Sequence, residues 1–332
     1  MGMNRLRPLH LFALGLALEG ALVTDIAAQE PVTTEVHLDT GTGVLGGSLV
    51  VPAGRTPLPV ALLIAGSGPT DRDGNSAMLG GRNNSLRQLA EVLAANGIAS
   101  LRYDKRGIGA SAGAFTSEAA LRFDNYVDDA ARWITQLRAD PRFSTITVIG
   151  HSEGSLIGMI AARTAGADAY VSMAGPARSA GAIIRDQIRP SFPAESYQLA
   201  DSILSELEAG RTFDGEVPRS LAMLFRPSVQ PYLVSWLRYV PAAEVARLTV
   251  PVLIIQGTTD IQVGTGEATA LKSAQPAAQL ELIDGMNHVL KQVPPDHDQQ
   301  VASYSNPSLE LSPRLGPLIV AFIRGVPARA NP

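Results

Sequence analysis

The sequence of 332 residues contains no cysteine. That excludes disulfides, thiolate metal sites and a thiol nucleophile, and it leaves the redox compartment open. Charge is sparse, at 17% of residues, and aromatic side chains make up only 5%. The formal net charge is −4, so nothing draws the chain electrostatically to nucleic acid or to an anionic membrane. No internal repeat or low-complexity segment is visible. With 45% hydrophobic residues, the chain can bury a large core, as one big domain carrying an insertion.

At the N-terminus, Arg5 and Arg7 precede an apolar stretch from Leu9 to Val23, and Ala27-Ala28 follows. This is the order of a secretory signal, with cleavage expected after Ala28, although Glu19 interrupts the apolar run. The run is too short and too broken for a transmembrane helix. Residues 1–28 therefore read as a signal peptide, and the mature chain as periplasmic or secreted with no stable membrane insertion.

The mature chain alternates strands and helices. Glu35–Leu38 and Leu45–Val51 flank a Gly-rich turn and predict a hairpin. Val60–Ala65, Ile98–Tyr103, Ile146–Ile149, Ala169–Met173, Val250–Ile255 and Leu280–Ile283 are apolar runs of the buried, parallel type. Helices are expected between them, the first started by Asn84 and the Ser85/Gln88 pair, another capped by Asp124. This is an α/β fold with a mostly parallel sheet. The rhythm stops between residues 178 and 248, where amphipathic and aromatic segments broken by Pro227, Pro231 and Pro241 suggest an inserted helical cap. Residues 29–177 and 249–332 would then form the core domain.

The organising stretch is Gly150-His151-Ser152-Glu153-Gly154, placed between the Ile146–Ile149 strand and an apolar helical segment. Strand, sharp turn and helix are the setting of a nucleophile elbow, with Ser152 at the carboxyl end of the sheet. Gly150 and Gly154 would let strand and helix pass closely with no Cβ between them. A serine hydroxyl needs a base, and the base an orienting carboxylate.

Of the five histidines, His10 lies in the signal, His37 on an early strand, and His297 in a polar, Pro-rich stretch read as loop. His151 is expected to point away from the serine. His288 follows the last strand, at the edge where catalytic groups collect. Asp260 follows the Val250–Ile255 strand in the same way. The order Ser152, Asp260, His288 is that of a strand-end triad. The backbone N–H groups of Glu153 and Ser67, the latter in Gly66-Ser67-Gly68, are the expected oxyanion donors. Asp71 and Asp73 lack the glycine and closing-glutamate spacing of a calcium loop and read as loop-ordering acceptors, as Asp104 and Arg106 read as a structural turn. Glu153 is expected to fix the elbow or contact the cap.

Taken with Gly66-Ser67-Gly68-Pro69-Thr70-Asp71-Arg72-Asp73-Gly74, Asp104-Lys105-Arg106-Gly107-Ile108-Gly109, Gly257-Thr258-Thr259-Asp260 and Asn287-His288, the chain resembles bacterial α/β-hydrolases of the serine esterase and serine aminopeptidase type over about residues 45–325. The resemblance implies an eight-stranded sheet, a helical cap and hydrolysis of carboxylic esters or related bonds, with no metal or cofactor. Many relatives open the oxyanion loop with His-Gly; here it is Ala65-Gly66, which keeps the backbone donor and bears on how the loop is anchored.

A small-molecule ester with a short acyl chain, cleaved through an acyl-enzyme, fits the apolar cap. The alternative is an aminopeptidase (proline iminopeptidase-like), with Glu195, Glu206 or Glu208 meeting the substrate amine. An inactive binding protein on the same scaffold fits less well with an intact Ser, Asp and His set. The leader makes one prediction: intact-mass measurement of exported protein should show a new N-terminus at or near Gln29. A mature protein retaining residues 1–28 would refute it.

Overall fold

The computed structural model describes residues 1–2, 30–54, 56–76 and 81–328. Residues 3–28 of the expected signal peptide therefore lie outside the described residues. Eight strands among the described residues form one sheet: β1 (Val32–Asp39), β2 (Val44–Val51), β3 (Leu58–Ile64), β4 (Ala99–Tyr103), β5 (Phe143–His151), β6 (Ala169–Met173), β7 (Val252–Gly257) and β8 (Gln279–Ile283). Their spatial order is β1-β2-β4-β3-β5-β6-β7-β8. The β1–β2 and β2–β4 pairs are antiparallel, and the rest are parallel.

The central strands are buried on both faces, and their alternation builds two cores. Val60, Leu62, Ile64, Val148, Tyr170 and Ile254 face one, while Ala61, Leu63, Ile149, Val171, Leu253 and Ile255 face the other. Helices α1 (Ser85–Ala95) and, late in the chain, α11 (Leu315–Arg324) cover the second face. Helices α2 (Phe123–Ala139) and α3 (Glu153–Ala165) cover the first. In α2, Phe123, Tyr126, Val127, Ala130, Trp133, Ile134 and Leu137 are buried at three- and four-residue spacing, which makes one apolar face. Helix α3 is buried over most of its length, because sheet, α2 and the inserted helices enclose it. Among the described residues, no helix is long and apolar enough to cross a membrane.

Between β6 and β7 the chain forms α4 (Ala180–Ile188), α5 (Ala194–Glu208), α6 (Ala222–Phe225), α7 (Gln230–Leu237) and α8 (Pro241–Val245). Ile203, Leu204, Leu207, Leu221, Phe225, Tyr232, Leu233 and Leu237 of this insertion share the core of α2 and α3. The Phe123 and Trp236 rings stack, with centroids 6.1 Å apart. Helix α9 (Thr265–Ala274) follows β7, and α10 (His297–Ser303) precedes α11.

Three local expectations give way to tertiary competition. Asn84 adopts a left-handed φ of 52° and makes no side-chain cap; Asn83 Oδ1 takes the Ser85 N–H instead, at 3.0 Å. Gln88 turns to the Pro307 and Leu309 carbonyls. Asp124 lies inside the first turn of α2, where its carboxylate receives Tyr239 at 2.6 Å, and Asn125 Oδ1 accepts the Arg122 N–H. His297 is not in a loop: Asp296 caps α10 by accepting from Gln299 N at 3.0 Å.

Two glycines separate crowded from open backbone. A Cβ on Gly154 would sit 2.4 Å from the Ile64 carbonyl oxygen and 2.6 Å from that of Ala65, whereas a Cβ on Gly266, within α9, meets nothing within 4 Å. Gly154→Ala should therefore destabilise the fold by about 1–3 kcal/mol or more. Gly266→Ala should stabilise it by about 0.5–1 kcal/mol. Urea unfolding of the two variants checks this; equal effects would contradict the close approach.

Candidate active site

Ser152 ends β5 and begins α3 with φ 54° and ψ −121°, a strained conformation for a side chain with a Cβ. The surroundings enforce it. The Ser152 N–H donates to the Met173 carbonyl at the end of β6, 2.9 Å away. A Cβ on Gly150 would lie 2.2 Å from the Gly154 carbonyl oxygen. Strand and helix thus touch through bare backbone, and the serine is pushed out of the turn. Glu153 opens α3, so no carbonyl within the helix can take its N–H. Gly66 lies directly against this turn: a Cβ there would meet Ser152 Cβ at 3.2 Å and the His151 ring at 3.3 Å. Ser67, the next residue, is exposed.

The carboxyl ends of β7 and β8 bring Asp260 and His288 together. His288 Nδ1 lies 2.8 Å from Asp260 Oδ2. Both are sealed from solvent, with side-chain exposures of 6% and 0%. Burial by itself would raise the Asp260 carboxyl, but the His288 ring and the N–H groups of Val263 and Gln262 outweigh it and hold it below its ordinary range. Gln256 Nε2 adds a bond to Oδ2 at 2.9 Å. An ionised carboxylate can only accept, so Nδ1 is the donor of this hydrogen bond and Nε2 is left for other partners.

The two loops are laced to each other. Thr258 N donates to the Ile283 carbonyl and Thr259 N to that of Met286, at 3.0 and 3.2 Å. Gly285 N donates to Thr258 Oγ1 at 2.9 Å. Asn287, fully buried, donates to Ser303 Oγ at 2.7 Å, so α10 braces the His288 loop from outside.

His151, expected to point away from the serine, turns its ring to the His288 loop. Nε2 donates to the His288 carbonyl at 2.8 Å, and the two rings stand 4.9 Å apart between centroids. The residue beside the serine thereby grips the main chain of the histidine. Spacing in the sequence carried no sign of this, because the contact joins positions 137 apart. The Ser152 hydroxyl makes no hydrogen bond among the described residues. Such contacts often close only when a ligand is bound.

The remaining expected residues fall into place around this centre. The Glu153 carboxylate accepts a hydrogen bond from Tyr232 of α7, inside the insertion. Asp71 Oδ1 accepts from the N–H groups of Asp73 and Asn75, and Asp73 pairs with Arg102. Asp104 receives the Arg72 N–H at 2.8 Å, and Arg106 forms a two-pronged pair with Asp129.

Burial, and next to it the charge on His288, push His151 down to about 4 from its ordinary 6.5. A buried neutral histidine must take up a proton later than its unfolded counterpart. Stability is therefore full above about pH 6.5 and falls as the pH drops toward 4. Denaturant unfolding at several pH values should show this loss in the wild type and a smaller loss in His151→Gln. An identical pH dependence in both would refute the assignment.

Comparison with known proteins adds to this geometry. Residues 79–214 match the family model described as serine aminopeptidase, S33. The matched segment contains Ser152 and Glu153 but ends before Asp260 and His288. Esterase EstD of Thermotoga maritima is 28% identical over 282 residues, or 83% of this chain. The chain spans 66% of that relative's length, just under two thirds. Est1E from Butyrivibrio proteoclasticus, solved with ferulic acid bound, superposes with a TM-score of 0.55 at 20% identity, over 81% of this chain and 94% of its own. The esterase domain of a Rhodothermus marinus protein gives 0.54 at 18% identity, over 89% and 98%. These structures share the fold. Together with the eight-stranded sheet and the strained serine elbow, they show that the chain has the α/β-hydrolase fold.

Proposed function

We propose that the protein is a serine esterase that cleaves short-chain carboxylic esters through an acyl-enzyme. The observation that carries this reading is the buried His288–Asp260 pair, 2.8 Å apart, tied through the His288 carbonyl to His151, the neighbour of a serine in a strained elbow. Ser152 Oγ attacks the ester carbonyl while His288 Nε2 takes its proton. Asp260 holds the ring and stabilises the imidazolium that forms. The N–H groups of Ser67 and Glu153 receive the oxyanion. His288 then protonates the leaving alcohol, and a water activated by the same nitrogen hydrolyses the acyl-enzyme. The similarity to Esterase EstD supports an ester substrate.

The aminopeptidase alternative needs a free carboxylate for the substrate amine. Two of those that the insertion offers are already engaged: Glu206 with Arg211 and Glu208 with Arg185. Glu153 is occupied by Tyr232. Of the three expected carboxylates that leaves Glu195, exposed in the first turn of α5, and an ammonium that does not reach it would lose hydration without a partner. The insertion's aromatic and aliphatic side chains are largely spent on the core. An apolar wall of those left over rewards each buried methylene by about 0.8 kcal/mol until it is reached.

Ser152→Ala and His288→Ala should each lower kcat by about 10⁴-fold or more, and the double variant should be little worse than either single one. Additive losses would argue against a shared step. Across p-nitrophenyl esters, kcat/KM should peak between acetyl and butyryl and fall by octanoyl. Faster cleavage of aminoacyl amides than of butyrate esters, abolished by blocking the amine, would establish the aminopeptidase instead.

A further inference from the structure

Lys105 is among the most deeply buried side chains of the protein, 1% exposed. Removing an ammonium from water costs several kcal/mol, so its partners define its purpose. The nearest is not a charge. Nζ donates to the carbonyl oxygen of Gly66 at 2.6 Å, whereas the closest carboxylate oxygen, Glu153 Oε2, is 3.8 Å away. The third neighbour is the face of Tyr126, 4.9 Å from Nζ to the centroid. A lysine present only to neutralise Glu153 would sit on the carboxylate. This one sits on a main-chain carbonyl and keeps the carboxylate behind it.

That carbonyl is half of a peptide group whose other half is the Ser67 N–H. In a planar trans peptide the two point in opposite directions. Fixing the Gly66 oxygen toward the buried ammonium therefore fixes the Ser67 N–H away from it. The following peptide is held separately, by Thr70 Oγ1 donating to the Ser67 carbonyl at 2.8 Å. Gly66 has no Cβ to resist rotation, and its neighbours Ser67 and Gly68 are exposed, so without Lys105 the Gly66–Ser67 peptide is free to turn.

We propose that Lys105 is the positioning residue of the oxyanion loop: it orients the Ser67 N–H through the Gly66 carbonyl, and Glu153, tied to the insertion by Tyr232, holds the ammonium in place. This rests on the esterase reading above. It makes Glu153 a double agent, its N–H facing the reacting atom and its side chain steadying the opposite donor.

The test uses the full purified chain with p-nitrophenyl butyrate, a trifluoromethyl ketone that forms an oxyanion on Ser152, and butyramide as a ligand without developed charge. Lys105→Met removes the donor and leaves Glu153 unpaired; Lys105→Met with Glu153→Gln removes both charges and serves if the single variant does not fold. Folding is checked by circular dichroism. In the folded variant kcat should fall by about 10²-fold, the usual effect of losing one oxyanion donor, with KM within about threefold of wild type. The trifluoromethyl ketone should weaken by a similar factor and butyramide by less than about threefold. A kcat loss under about tenfold, or equal weakening of both ligands, overturns the inference while the esterase reading stands. A wild-type chain that does not hydrolyse the ester, or one whose activity survives Ser152→Ala, overturns that reading and this inference together.

Discussion

Three stretches of backbone cross at one point without a single Cβ between them: the end of β3, the end of β5 and the first turn of α3. The contacts are carbonyl oxygens against the would-be side-chain positions of Gly150 and Gly154. Everything in the candidate site depends on that crossing. It forces Ser152 to positive φ, at a cost of order 1–3 kcal/mol that the surrounding sheet must hold. It also lays Gly66 against the serine and directs the start of α3 at the same spot. A strained residue survives only where its neighbours leave no alternative. Here Met173 on the adjacent strand fixes the Ser152 N–H, and packed backbone fixes the rest.

Charge is arranged around the crossing with equal economy. Three consecutive residues after β4 each leave the sheet toward a different partner: Asp104 to Arg72, Lys105 to Gly66 and Glu153, Arg106 to Asp129. Most of these groups are buried, and buried ion pairs do little for net stability once desolvation is counted. Their effect is on geometry. Each fixes the direction of a loop that would otherwise be a Gly-rich turn with several conformations.

The strand and helix pattern was legible in the sequence because both its signals are local. Val60 to Ala65 is continuously apolar, and the structure buries it on alternate sides in two separate cores. The placement of Ser152, Asp260 and His288 was legible for a related reason: each follows a strand, and parallel strands deliver their ends to one edge. What stayed hidden depends on contacts between distant positions. His151 was expected to face away, and only the fold shows it bonded to a carbonyl far along the chain. Asn84 and Gln88 carry the residue types of a helix start, yet both are drawn off by the Asn75 loop and the 307–309 segment. Residues 294–298 looked like loop because prolines and charges dominate them, and a seven-residue helix with its own aspartate cap carries too little apolar pattern to announce itself.

The insertion is fastened to the core at its centre as well as along its edges. Tyr232 reaches the carboxylate beside the serine, Phe123 stacks on Trp236, and Arg226 and Arg238 pair with Glu118 and Asp124. Lifting it would strip a buried carboxylate of its hydroxyl donor and expose an aromatic cluster in one movement. Movement of the insertion as one body would have to break a buried hydrogen bond, an aromatic stack and two ion pairs together, so its position and the setting of Glu153 are one structural unit.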